Sequence, residues 1–142
     1  MLFNKGEKKM STLKETVQLA NGNEIPWIGL GTWQMTPEEA ERTVEYALKN
    51  GYIHIDTARS YHNEEGVGRG MKASGLNRED YFLTTKVRGQ TKTYEGAKQD
   101  IEASLKALDT PYIDLVIIHA PRPWDEMRQD RPIKTFYYEE KK

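Results

Sequence analysis

Cysteine is missing from this sequence altogether. No disulfide can staple the fold and no thiolate can hold zinc, which suits a reducing, cytoplasmic setting; no metal site is expected. An excess of one charge is missing too. The 21 basic and 22 acidic residues leave a formal net charge of −1, and that balance points to neither nucleic acid nor a membrane surface. No apolar run approaches the length of a membrane span. The lysines of the opening MLFNKGEKKM are not followed by the apolar core of a secretory signal. Met10 reads as a second start, and residues 1–15 as a flexible leader.

What is present is a rhythm of short apolar runs and amphipathic stretches. Thr16–Leu19 and Glu24–Trp27 flank Asn21-Gly22, the strongest short signal for a β-hairpin. Ile28–Gly31 reads as a first buried strand. Thr36 caps a helix, with Pro37 at its first position and Glu39 closing a capping box. Ala40, Val44, Ala47 and Leu48 share its inner face, and Asn50-Gly51 ends it. Tyr52–Asp56 is the second strand. From Asn63 to Ala73 runs a helix with Val67 and Met71 inward. Gly66, Gly68 and Gly70 weaken it in isolation, so close packing is expected to hold it. Glu64 and Glu65 read as first-turn acids favoured by the helix dipole. Tyr81–Val87 is the third strand. Thr93–Leu108 is a helix with Ala97, Ile101, Leu105 and Leu108 on one side. Tyr112–His119 is the fourth strand, apolar on both faces as parallel strands are. Strands alternating with helices in this way predict a parallel α/β sheet. After Pro121 the pattern degrades, and residues 122–142 read as an irregular or partly helical tail.

Polar residues collect at the strand ends, where parallel α/β folds place their chemistry. Asp56 ends the second strand and Tyr61 lies in the loop after it. Lys86 ends the third strand and His119 the fourth. A phenol, with an ordinary pKa near 10, is a poor acid at neutral pH. A nearby ammonium favours its phenolate, a carboxylate keeps that ammonium charged and oriented, and a histidine can donate to a substrate oxygen. The set suits proton transfer to a carbonyl, with Tyr61 as general acid. Each residue alone has a plainer reading, as a cap, a packed aromatic or a snorkelling lysine. The case rests on four weak signals meeting at one end of consecutive strands.

The stretch HIDTARSYHNEEGVGRG closely resembles the signature of the aldo-keto reductases. Gly29–Trp33, Thr84-Thr85-Lys86 and Asp114–His119 match three further blocks of that family in order and spacing, and the likeness runs from about Val17 to about Arg131. The resemblance implies an N-terminal β-hairpin at the bottom of a TIM (β/α)8 barrel, and NADPH-dependent reduction of aldehydes or ketones. It implies Tyr61 as proton donor, with Asp56, Lys86 and His119 completing the tetrad. Gly31, Thr32, Trp33 and Asp56 are expected beside the nicotinamide. Trp33 and Trp124, with Tyr61 and His119, are expected to shape the pocket for a small carbonyl substrate. The family often has an aromatic residue after the histidine; here Ala120 and Pro121 follow, and a wider pocket is expected.

A barrel of this kind needs about 250 residues, and the pattern supplies its first four βα units, over residues 16–121. The family's remaining cofactor groups come from strands five to eight. These are a Ser-Asn pair and a Gln for the carboxamide, a Tyr stacked on the nicotinamide, and a basic loop for the 2′-phosphate. A half barrel has unpaired edges and an uncovered apolar face. The expectation is weak or no activity alone, and association either with itself or with a complementary C-terminal half. The alternative is a catalytically silent, self-associating half-barrel domain that keeps the tetrad as ancestry.

Overall fold

The structure is a computed structural model and describes residues 12–121. A 3-10 turn at Thr12–Lys14 opens it, and the Trp27 amide donates to the Glu15 carbonyl at 2.8 Å. The described residues thus include a turn just ahead of the hairpin, in the stretch that the sequence reads as a leader. Strands β1 (Thr16–Gln18) and β2 (Glu24–Pro26) pair antiparallel, with Val17 opposite Ile25. Gly22 takes a left-handed φ of 88° at the turn, the conformation for which Asn-Gly is suited. The expected tail at 122–142, with Trp124, lies outside the described residues.

The second sheet holds β3 (Leu30–Gly31), β4 (His54–Asp56), β5 (Phe82–Val87) and β6 (Leu115–Ile118) in that order, every pair parallel. Helices α1 (Pro37–Lys49), α2 (Glu64–Ser74) and α3 (Tyr94–Leu108) connect them. At the start of α1 the Thr36 hydroxyl accepts from the Glu39 amide at 3.2 Å, and the Glu39 carboxylate accepts from the Thr36 amide at 2.8 Å. The capping box read from sequence is therefore complete. Ala40, Val44, Ala47 and Leu48 are all buried. Ala40, Val44 and Leu48 pack with Ile55 of β4, Leu83 of β5, and Val67 and Met71 of α2.

The glycines of α2 are explained by contact. A Cβ on Gly66 would stand 1.9 Å from the Pro37 carbonyl oxygen, and one on Gly70 would stand 2.5 Å from that of Glu41. Gly68 faces α3 instead, 2.6 Å from the Leu108 carbonyl oxygen by the same measure. The helix propensity lost at these positions is offset by backbone approach on two sides.

Two expectations shift. The buried stripe of α3 is Asp100, Ser104 and Leu108, while Ala97, Ile101 and Leu105 are half-buried beside it. Asp100 turns inward because Arg88 and Thr91 receive it. Its carboxylate accepts from the Thr91 hydroxyl at 2.7 Å and lies 2.7 Å from an Arg88 nitrogen. Burial pushes this carboxyl up, but those hydrogen bonds and the Arg88 charge more than offset it and hold it below the usual carboxylate range. Strand β6 is shorter than Tyr112–His119 and sits at the sheet edge. All six residues of β5 are buried, yet Ile117 and Ile118 of β6 remain 42% and 59% exposed.

Candidate active site

Side chains alternate across a strand. Ile55, Leu83 and Thr85 therefore face the helices, while His54, Asp56, Phe82, Thr84 and Lys86 share the opposite face. Asp56 pairs in register with Gly31 on one side and Thr84 on the other, and Lys86 lies two residues beyond Thr84. The C-terminal ends of β4 and β5 thus bring Asp56 and Lys86 together without help from any loop.

The Lys86 ammonium donates to the Asp56 carboxylate, to the Thr57 carbonyl at 2.9 Å and to the Tyr61 hydroxyl at 3.4 Å. Those three acceptors match its three protons. The cation is nearly buried, and Asp56 keeps 34% of its side chain exposed toward the mouth. Tyr61 is carried by a 3-10 turn, Arg59–Tyr61, and His62 follows in the left-handed region at φ 58°. The Tyr61 and His119 rings meet edge to face, 5.4 Å between centroids at 81°. The His119 amide donates to the Val87 carbonyl at 2.9 Å, which extends the β5–β6 ladder to this residue. Burial, and then the Lys86 charge, hold the His119 imidazole below the ordinary histidine range, with Asp56 pulling weakly the other way. His119 is neutral at pH 7 and keeps one N–H to donate. Ala120 turns left-handed at φ 48° immediately after it.

The four tetrad candidates are therefore in one place. Gly31 sits beside Asp56 with open space where a side chain would stand, nothing lying within 4 Å of a Cβ there. A flat ring can approach the backbone at that point, so the residues present fit the nicotinamide end of a cofactor. Trp33 is 45% exposed at the end of β3. Thr32, expected at the cofactor, is fully buried. Its hydroxyl donates to that of Thr57 at 2.9 Å, so its side chain faces away from the mouth.

Three residues here have partners that the sequence did not show. Glu64 is a first-turn acid of α2, as read, but a buried one. It accepts from the Thr85 hydroxyl at 2.7 Å and from Arg59 at 3.1 Å, and so ties the turn carrying Tyr61 to β5. Asn63 is fully buried at the junction of two loops. His54 lies one layer beneath Asp56, its Nε2 3.0 Å from the Thr84 hydroxyl. A Cβ on Gly29 would stand 2.6 Å from His54 Nδ1, so glycine there makes room for the ring. Burial holds His54 below the usual histidine range, although Asp56 pulls it up. Among the described residues no group of three or more His, Asp or Glu could hold a metal ion, and no helix is long and apolar enough to cross a membrane.

A hairpin, a parallel βα sheet, and a lysine joining a carboxylate to a phenol at the strand ends define the class, and comparison with known proteins agrees. The Aldo/keto reductase family model matches residues 27–140, and the chain belongs to that family. It is similar to glyoxal reductase of Bacillus subtilis (strain 168), 48% identical over 112 residues that make up 78% of this chain and 41% of that protein. It is also similar to methylglyoxal reductase DkgA of Escherichia coli (strain K12), 42% identical over 75% of this chain and 38% of that protein. The crystal structure of an aldo/keto reductase from Brucella melitensis superposes with a TM-score of 0.75 at 48% identity, over 79% of this chain and 43% of that one. A Bombyx mori aldo-keto reductase in complex with NADP gives 0.70 at 37% identity, over 74% and 38%. The chain thus spans about two-fifths of the length of these relatives.

Proposed function

We propose that this chain carries the acid–base half of an NADPH-dependent carbonyl reductase, as the first four βα units of a (β/α)8 barrel. The observation that carries the reading is Lys86, whose ammonium joins Asp56, the Thr57 carbonyl and the Tyr61 hydroxyl beside a neutral His119. When bound, the nicotinamide supplies a hydride to the carbonyl carbon. Every other role belongs to the chain. The Tyr61 hydroxyl accepts from Lys86, so its own proton points out and passes to the carbonyl oxygen as that oxygen gains charge. The phenolate left behind is stabilised by the ammonium, and Asp56 keeps the ammonium charged. The His119 N–H donates to the same oxygen and fixes its angle. Gly31, the Thr32 backbone, Trp33 and Asp56 flank the nicotinamide. Trp33, Tyr61 and His119 line the substrate pocket, and small aldehydes such as glyoxal and methylglyoxal, named for the two bacterial relatives, are the substrates to try.

The test starts with an NADPH titration of the purified chain, read by tryptophan quenching. Turnover follows, with the chain mixed with a separately produced C-terminal half of a relative. Methylglyoxal-dependent loss of NADPH is expected from the mixture, and Tyr61→Phe should reduce it by about 100-fold or more. If no complementing half restores turnover, the reading fails. A second reading is favoured by the exposed β6 edge at Ile117 and Ile118, which suits a catalytically silent domain that associates through that edge. A chain that remains monomeric and binds NADPH excludes it.

A further inference from the structure

We propose that Asn63 is a positioning residue for the acid. It fastens the loop after β3, which carries Trp33, to the loop after β4, which carries Tyr61, and so sets where the Tyr61 hydroxyl stands relative to Lys86 and His119. The proposal rests on the reductase reading, but its test does not require turnover.

By position Asn63 should cap α2, accepting from an amide of the first turn. It makes no such bond. Its amide nitrogen instead donates across to the Thr32 carbonyl at 2.7 Å and the Met35 carbonyl at 3.0 Å. Two carbonyl partners fix which end of the amide is nitrogen, so Oδ1 must accept. It receives the Thr57 hydroxyl at 3.3 Å, with the Thr32 hydroxyl at 3.4 Å. The Thr32 hydroxyl also reaches that of Thr57 at 2.9 Å. One hydroxyl proton per residue gives a directed chain, Thr32 to Thr57 to Asn63. All three side chains are fully buried, where an unmet polar group is costly.

Thr57 is thereby held from two sides, by Asn63 through its hydroxyl and by Lys86 through its carbonyl. The Thr57–Asn63 bond closes the base of the arc from Ala58 to His62, and Tyr61 stands within that arc. His62, a non-glycine residue in the left-handed region, makes the return to Asn63 possible and persists only where its surroundings hold it. Loss of the amide opens the base of the arc and unties it from the loop after β3, leaving Thr57 held by Lys86 and β5 alone. A merely stabilising buried Asn would leave Tyr61 in place so long as the chain remained folded. A positioning one would not.

The test reads the imidazole signals of His119 by NMR at pH 7.5, above its titration. The Tyr61 ring lies edge-on to it at 5.4 Å, so its ring current displaces those signals, and Tyr61→Leu gives the value with the ring removed. Asn63→Ala is expected to move the His119 signals most of the way to that value. Thr57→Val should move them part of the way, and Thr57→Ser, which restores the hydroxyl, should return them. Ser74→Ala removes another buried hydroxyl, one bonded to the Met71 carbonyl at the far end of α2, and should leave the His119 signals where they are. In the complemented enzyme Asn63→Ala is expected to lower kcat by about 100-fold, the scale of a 1 Å misplacement. If Asn63→Ala does not fold, Thr57→Val decides. Unmoved His119 signals in a folded Asn63→Ala or Thr57→Val protein overturn the proposal, as does an equal displacement in Ser74→Ala. Failure of turnover with the His119 displacement intact counts against the reductase reading and not against Asn63.

Discussion

Two partly buried ion pairs sit at opposite ends of the same sheet, and their surroundings differ. At the N-terminal ends of β5 and β6, Arg78 reaches Asp114 at 2.5 Å, the Tyr81 and Tyr112 carbonyls at 2.9 and 3.0 Å, and the Thr110 hydroxyl at 2.9 Å. Its guanidinium also stacks 3.9 Å from the Tyr112 ring centroid, and Asp114 accepts the Leu83 amide at 2.8 Å. These bonds take four of the five N–H groups of the guanidinium, and the planar fork of arginine suits such a set. At the C-terminal ends, Lys86 holds Asp56 and Thr57 closely and Tyr61 at a longer 3.4 Å. The phenol proton is left over, Asp56 opens to the mouth, and His119 stands neutral alongside. Burial is similar at the two ends. What separates a fastening from a site is whether the partners of the cation keep hydrogen-bonding capacity of their own, as the Tyr61 proton and the part-exposed Asp56 do.

Taking each pair apart tests the difference. Arg78→Met leaves the part-buried Asp114 with the Leu83 amide but without its cation and should cost about 2 kcal/mol in urea unfolding, with the His119 NMR signals unmoved. Lys86→Met should cost no more than about 1 kcal/mol, because Asp56 can take water in place of the ammonium, yet it should abolish turnover in the complemented enzyme. Equal stability losses for the two variants would mean that both pairs are fastenings. Smaller still is the effect of pH. His54 and His119 both titrate below the unfolded histidine value near 6.5. The unfolded chain therefore binds protons first, and stability that is full above pH 6.5 is lost as pH falls through the folded values. Unfolding measured from pH 7.5 to 5 should show this decline, His119→Gln should flatten part of it, and Arg78→Met should leave its slope unchanged. Smallest is Ile118→Thr at the open edge, expected to change the stability of the monomer by less than about 0.5 kcal/mol. If sedimentation shows that the chain self-associates, the same change should weaken the assembly.

Much of the fold was legible because it is local. Thr36, Pro37 and Glu39 stand within one turn of each other, and their capping box forms as read. Asn21-Gly22 makes its turn for the same reason. Val67 and Met71 face inward at helical spacing, and the glycines of α2 announced close packing, although not that Gly66 and Gly70 face α1 while Gly68 faces α3. Less legible was anything that depends on a partner from elsewhere in the chain. Nothing in the sequence marked Asp100, which Arg88 and Thr91 draw inward. Glu64 stands in the first turn of α2 as read, and it is also a tie between Arg59 and β5, which the sequence did not show. Strand β6 looked longer than it is: the regular strand is only the apolar run Leu115–Ile118, with Asp114 and His119 each adding one backbone bond to β5 at its ends.

By itself the sequence determined the order of strands and helices, where each helix starts and stops, and the succession Asp56, Tyr61, Lys86, His119 at the strand ends. Those follow from propensity, capping and a period-two alternation, which act over a few residues. It took the folded molecule to turn Thr32 away from the mouth, to have Asn63 give up its cap to join two loops, and to set Lys86 against a phenol whose own proton is left over while Arg78 meets carbonyls, a threonine hydroxyl and Asp114. A polar side chain bonds to whatever lies across from it. In this protein that neighbour is often some thirty residues distant, as Thr32 is from Asn63, where local rules do not reach.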